Sequence, residues 1–293
     1  MVKRKYPHTR LRRTRAKAFL RDLVAEKKLS TDDLIQPIFI ADQKDSKVSI
    51  PSMPGIYRHN LESLYSEVES LINLGIKSIA IFPAIDPEKK DAKASHAFEK
   101  DNIVCKALNQ LSKKFPELIK IADVALDPYT DHGHDGLIID GKINNDETVT
   151  LLAEQALILA NAGADIIAPS DMMDGRVRVI RDALESNALQ DTIILSYAAK
   201  YASSFYGPFR DAVGSSVSLG TGSKETYQMN FANIDEAIHE VRMDLEEGAD
   251  IVMVKPGTAY LDVVHKIKNI FQVPTFVYQV SGEYSMLQLS IEK

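Results

Sequence analysis

Across 293 residues the chain is 45% hydrophobic and 26% charged, enough apolar material for a substantial buried core and too much for a disordered protein. A formal charge of -6 at pH 7 excludes a general nucleic-acid-binding surface, which must neutralise phosphates. No apolar run approaches the ~20 residues of a membrane span, and a lone cysteine, Cys105, leaves no intrachain disulfide and no thiolate zinc cage, as fits a cytoplasmic or plastid interior.

The chain opens on a basic segment in which Lys3, Arg4, Lys5, Arg10, Arg12, Arg13, Arg15 and Lys17 stand with no acid among them. Residues 1–30 therefore read as an arm, suited to targeting, to nucleic-acid contact or to docking on another subunit, and residues 31–293 as one catalytic domain. In that domain seven short apolar runs read as strands, near 34–40, 78–83, 120–126, 165–169, 192–197, 250–254 and 275–279. Helical periodicity fills the intervals near 60–74, 103–115, 146–162, 176–186, 235–247 and 260–271.

Three joints repeat one pattern, a helix ending at glycine with a strand following almost at once: Asn73-Leu-Gly75, Asn161-Ala-Gly163 and Glu247-Gly248. Glycine closes a helix there because it takes a left-handed conformation without a Cβ clash. The strands are continuously apolar rather than alternating, as in a sheet buried on both faces. This is an α/β chain, and a TIM (β/α)8 barrel is the expected architecture because unusual polar residues gather just after strand C-termini in several units. A complete barrel has eight units, so the pattern predicts a barrel lacking its last βα unit, with the first and seventh strands as unpaired edges. Two connections are long. Residues 127–145 hold a predicted hairpin turning at Asp140-Gly141, and residues 203–233 read as a mobile cover over the strand ends.

Two lysines close apolar strands, Lys200 after Thr192-Ile-Ile-Leu-Ser-Tyr-Ala-Ala and Lys255 after Asp250-Ile-Val-Met-Val. One such lysine ordinarily snorkels into solvent. Two in equivalent places of a repeating pattern point instead to desolvated amines, held neutral by burial and mutual repulsion, that attack ketones as Schiff-base nucleophiles.

Several longer motifs stand around them: Tyr6-Pro-His-Thr-Arg-Leu-Arg-Arg-Thr-Arg15, Asp123-Val-Ala-Leu-Asp127-Pro-Tyr-Thr-Asp-His-Gly-His-Asp135-Gly, Pro169-Ser-Asp-Met-Met-Asp-Gly175, Phe205-Tyr-Gly-Pro-Phe-Arg-Asp-Ala212, Tyr227-Gln-Met and Met253-Val-Lys-Pro-Gly257. In this order they resemble the delta-aminolevulinic acid dehydratase (porphobilinogen synthase) family, a TIM-barrel lyase family that condenses two 5-aminolevulinate molecules into porphobilinogen, with loss of two waters, in tetrapyrrole biosynthesis. The resemblance implies that Lys255 forms the Schiff base with the first substrate and Lys200 with the second. Asp123 and Ser170, at the C-terminal ends of the third and fourth strands, are expected from that position to serve catalysis at the same mouth, the alternative being a helix cap or a backbone partner. The resemblance also implies that Arg210, Lys224 and Gln228 hold the second substrate's carboxylate and that Ser281 holds part of the first's.

In zinc-using relatives three cysteines stand where this chain has Ala125, Asp127 and Asp135, so a catalytic Zn²⁺ is not expected. Carboxylates suit Mg²⁺ or K⁺, or bind the substrate amine directly. Glu240 matches the position of an allosteric Mg²⁺, whereas Asp131, His132 and His134 receive no role. The arm would wrap a neighbouring barrel in a homo-octamer, which leaves no need for nucleic acid.

Relatives continue past the segment matching Ser281-Gly-Glu-Tyr-Ser-Met286, and the tail Gln288-Leu-Ser-Ile-Glu-Lys293 does not resemble their continuation. From this a truncated chain of marginal stability and low activity is expected. The alternatives are a non-catalytic assembly subunit, or another class I Schiff-base aldolase that uses one lysine.

Overall fold

The computed structural model describes residues 3–214, 219 and 222–291. Each of the seven predicted strands forms: β1 (Gln36–Ala41) is followed by a hairpin of β2 (Lys47–Ser49) and β3 (Tyr57–His59), then β4 (Ser78–Ala84) and β5 (Ile119–Val124). A second small hairpin, β6 (Ile138–Ile139) and β7 (Lys142–Ile143), precedes β8 (Ile166–Pro169), β9 (Ile193–Lys200), β10 (Ile251–Lys255) and β11 (Thr275–Val277). Helices α1 (Ala18–Leu23), α2 (Leu61–Asn73), α3 (Ile103–Lys114), α4 (Asn145–Asn161), α5 (Arg176–Ser186), α6 (Gly207–Val213), α7 (Ile234–Glu247), α8 (Leu261–Phe271) and α9 (Ser281–Ile291) complete the described elements.

Local chemistry sets the ends of these helices. The side chains of Asn60, Asn102 and Asn144 accept the backbone N–H of Ser63, Cys105 and Glu147, satisfying donors left free at the starts of α2, α3 and α4. The predicted joints Gly75, Gly163 and Gly248 have φ of +89°, +107° and +111°. A Cβ at Gly163 would also stand 2.5 Å from Ser112 Oγ, so both conformation and space demand glycine.

The strands lie in the order β11-β10-β9-β8-β5-β4-β1-β3-β2, parallel throughout except for the β2–β3 hairpin. Two apolar layers hold them. Ile81, Leu108, Leu111, Leu152 and Ile180 pack between strands and helices, and Phe39, Phe82, Ile121, Leu195 and Met253 fill the concave face. The C-termini of the parallel strands thus open at one end, the place where parallel barrels put their chemistry.

The structure corrects two expectations. β1 is not an unpaired edge: Phe39 and Ile40 pair in parallel with Arg58 and His59 of β3. β11, in contrast, pairs only with β10 among the described residues. Residues 203–233 are not simply a loop, because α6 folds within them and Met229 bridges to Tyr201. The end of the described chain forms α9, in which the Tyr284 hydroxyl donates to the carbonyl of Pro54 and Ser285 Oγ donates to that of Ser52 at 2.8 Å. This helix therefore links the β11 side of the sheet to the loop before β3. The hairpin at Asp140-Gly141 forms as predicted, with φ of +50° and +74° at its two turn residues.

None of residues 3–34 is buried. No helix among the described residues is long and apolar enough to cross a membrane.

Candidate active site

The two lysines meet because β9 contains an irregularity. Val252 pairs with Ser196, but Val254 pairs with Ala199, so β9 carries one extra residue over this stretch and Lys255 comes opposite Lys200. An unbroken register would have placed Ala199 there and turned Lys200 to the other face.

Lys255 is only 6% exposed. Its Nζ lies 4.5 Å from the ring centre of Tyr278, 5.1 Å from those of Tyr197 and Phe209, and 5.3 Å from that of Tyr206. Burial, reinforced by the charge of Lys200, pushes this amine down to about 7 against the opposing pull of Asp123, Asp127 and Asp135. Lys200 is equally buried; its Nζ donates to the Ser170 carbonyl and lies 3.8 Å from Asp135 Oδ1.

Asp123, near the end of β5, faces the same space. Burial pushes its carboxyl up to about 7, opposed chiefly by a hydrogen bond from the Ser170 side chain. Its Oδ1 is buried with no hydrogen-bond partner among the described residues. A carboxyl of this kind can carry a proton near neutral pH.

The loop after β5 forms a second cluster. Lys224 Nζ donates to Asp135 Oδ2 at 2.6 Å and to Asp127 Oδ2 at 3.0 Å, with all three side chains buried. Burial works against the charged form of both Asp135 and Lys224. It is overcome by the mutual pairing, so Asp135 lies below the usual carboxylate range and Lys224 above the usual lysine value. The Tyr227 hydroxyl donates to Asp135 Oδ2 at 3.0 Å and lies 3.1 Å from His134 Nδ1. Gln228 is buried beside them, its N–H bonded to the Lys224 carbonyl at 2.9 Å.

Arg210 is half-buried on α6, next to Phe209 of the aromatic box. Ser281 Oγ accepts the Phe209 N–H at 2.9 Å and donates to the Phe205 carbonyl at 3.2 Å, so it braces the start of α6. Glu283 is a residue that sequence reasoning passed over. Its carboxylate accepts the N–H groups of Gly257, Thr258, Ala259 and Val280 and so fixes the turn after Lys255. The four box aromatics were also missed, although Tyr206 and Phe209 stood within a quoted motif.

Glu240 lies apart from this mouth, half-buried on α7. Burial pushes it up to about 7, with the carboxylates of Asp244, Asp174 and Glu236 adding to the rise and Arg176 opposing it. Arg176 is itself buried and holds Asp244 with both terminal nitrogens, at 3.3 and 3.4 Å, and Ser196 Oγ at 3.2 Å. Among the described residues no three His, Cys, Asp or Glu side chains converge as a metal cage. Ala125 has no ligand atom, and an ammonium already fills the space between Asp127 and Asp135.

Comparison with known proteins agrees with this geometry. Residues 8–293, including the tail from Gln288, match the profile of the family described as delta-aminolevulinic acid dehydratase. The dehydratase of that name from Bradyrhizobium diazoefficiens is 55% identical over 95% of this chain and 78% of its own length. The Bacillus subtilis enzyme is 46% identical over 97% and 86%. The crystal structure of the Toxoplasma gondii dehydratase in complex with its product, porphobilinogen, superposes with a TM-score of 0.94 at 47% identity, covering 97% of this chain and 81% of that one.

Proposed function

Because the chain belongs to the delta-aminolevulinic acid dehydratase family, we infer that Lys255 and Lys200 are the amines on which it condenses two molecules of 5-aminolevulinate into porphobilinogen. The observation that carries the assignment is the register of β9 and β10, which sets the two side by side at the open end of the sheet. A one-lysine aldolase would leave Lys200 without a task.

Each lysine attacks a ketone as the neutral amine, and loss of water from the carbinolamine gives an imine. The imine draws electrons from the neighbouring carbon and so prepares it for carbon–carbon bond formation. Lys255, half neutral near pH 7, begins without needing a base to deprotonate it. Asp123, poised near the same pH and bonded to Ser170, moves protons to and from the carbinolamine oxygen. The aromatic box excludes water from the first imine, and α6, braced by Ser281, carries Phe209 together with Arg210. Arg210, Lys224 and Gln228 bind the second carboxylate.

The donors at the mouth are oxygens already paired with Lys224, so catalysis is assigned to side chains and no Zn²⁺ is invoked. Mg²⁺ is assigned to Glu240. Burial raises its proton affinity there, with three neighbouring carboxylates adding to the rise, and a divalent cation would offset the carboxylates' share while stiffening the contact between α5 and α7. The arm, residues 1–30, is a subunit-docking element: Leu11, Phe19, Leu23 and Leu29 are 61–85% exposed on it, which suits burial against a second copy in a homo-oligomer. The buried thiol of Cys105 fits a reducing compartment such as the cytoplasm.

The test is reduction with borohydride in the presence of 5-aminolevulinate, followed by peptide mapping. Labelling of Lys255 and Lys200 is expected, together with porphobilinogen formation before reductant is added. Absence of label at either lysine would overturn the assignment.

A further inference from the structure

Lys224 is held by Asp127 and by Asp135, which also faces Lys200, and this position is hard to reconcile with waiting for a substrate carboxylate. We propose that the Lys224 ammonium stands in for the amino group of the second substrate, which displaces it from Asp127 and Asp135 and so frees Lys224 to grip that same molecule's carboxylate. The proposal rests on Lys200 being the second imine-forming lysine.

Three observations converge. Asp135 Oδ2 is 2.6 Å from Lys224 Nζ while its other oxygen, Oδ1, is 3.8 Å from Lys200 Nζ, so one carboxylate faces both lysines. When 5-aminolevulinate is joined to Lys200 through its ketone carbon, its amino nitrogen is fixed one carbon further on, roughly 3 Å from the imine nitrogen by ordinary bond lengths. That reach brings a new ammonium to Asp135. With Lys200 and Lys90 also near these carboxylates, charge disfavours both cations staying. Asp127 and Asp135 already face Lys224, with Lys90 adding to the field at Asp127 and the Tyr227 hydroxyl occupying part of Asp135 Oδ2. A second ammonium entering beside the first would face like charge at contact distance in a buried site.

The released lysine has a defined place to go. It lies four residues before Gln228 in one turn, joined to it through the Gln228 N–H, and Gln228 is its assigned partner at the carboxylate. The exchange makes the second site selective. A keto acid with an amino group opens it, whereas the same keto acid without one meets Lys224 still paired, leaving Arg210 as the one cation to receive its carboxylate.

The experiment compares borohydride labelling of the wild-type protein by 5-aminolevulinate and by 4-oxopentanoate, the same molecule lacking the amine. Both are expected to label Lys255, whereas 4-oxopentanoate labels Lys200 at least tenfold less. Methylammonium chloride at tens of millimolar, which supplies the missing ammonium separately, is expected to raise Lys200 labelling by 4-oxopentanoate severalfold. Tetramethylammonium chloride, which has no N–H to donate, leaves it unchanged at equal ionic strength. Equal labelling of Lys200 by the two keto acids, or no response to methylammonium, overturns the exchange while leaving the two-lysine assignment intact. Absence of label at Lys255 with either keto acid overturns that assignment, and the exchange with it.

Discussion

Replacing Lys255 by methionine should abolish porphobilinogen formation and at the same time stabilise the fold at neutral pH. The amine falls from 10.5 in the unfolded chain to about 7 in the folded one, mainly because the aromatic box removes its water. Since the folded value is the lower, the unfolded state holds more protons between those limits, and stability falls as pH falls through the window. At pH 7 the linkage amounts to about 4 kcal/mol disfavouring the folded state, and at pH 10 to less than about 1 kcal/mol. Methionine keeps the length of the stem and removes the titrating group. Part of the gain is lost because Asp123 no longer has the lysine's charge beside it.

Denaturant unfolding of both proteins at pH 7 and pH 10 measures the difference, at one protein concentration because subunit association would add to apparent stability. The variant should gain several kcal/mol at pH 7 and almost nothing at pH 10. A gain equal at both pH values, or a loss at pH 7, would refute desolvation as the source of the neutral amine.

Phe209→Ala opens one wall of the box to water, so the Lys255 value should rise toward that of an ordinary lysine. The rate at pH 7 then falls about tenfold per unit and the pH profile of imine trapping moves alkaline; an unmoved profile would count against the box. Arg176→Ala leaves Asp244 and Asp171 buried beside an empty space and should cost about 3–5 kcal/mol in thermal or denaturant unfolding. After chelation, added Mg²⁺ should stimulate the wild-type protein and not Glu240→Ala, while an equal response of the two would remove Glu240 from the ion's site. Deleting residues 1–30 should reduce the assembly seen by sedimentation, and an unchanged mass would separate the arm from subunit contact.

The seven strands were legible because each is a short, largely apolar run, six of them preceded by a helix with its own periodicity, and three of those helices end at a glycine that takes positive φ. The paired lysines were legible as an anomaly of burial. Burial by itself would have misled, since Lys120 is also buried and merely pairs with Asp165 at 2.7 Å. The irregularity in β9 that aligns Lys200 with Lys255 leaves no local trace, because no glycine marks it. The aromatic box draws on β9, the cover and the stretch after β11. Lys224 reaches Asp127 and Asp135 across 97 and 89 residues. Such contacts follow from gathering the strand ends at one end of the sheet, and only the assembled fold reveals them. α9 was missed because its sequence lacks one apolar face; Met286, Leu287, Leu289 and Ile291 are all exposed on it.

One rule of charge explains how similar residues take different roles in this mouth. Burial works against ionisation at Lys255 and at Lys224 alike, so the counter-charges decide between them. Lys224 has two carboxylates at hydrogen-bonding distance and remains an ammonium, fit to bind an anion. Lys255 has four aromatic faces and a like charge opposite, and it becomes a nucleophile. The aspartates divide in the same way: Asp135, between lysines, stays ionised, whereas Asp123, with one oxygen unpaired, reaches the neutral range and can carry a proton. Binding and chemistry are thus separated within one cavity by where the carboxylates fall, and moving a single negative charge from Asp135 to the side of Lys255 would be expected to silence both.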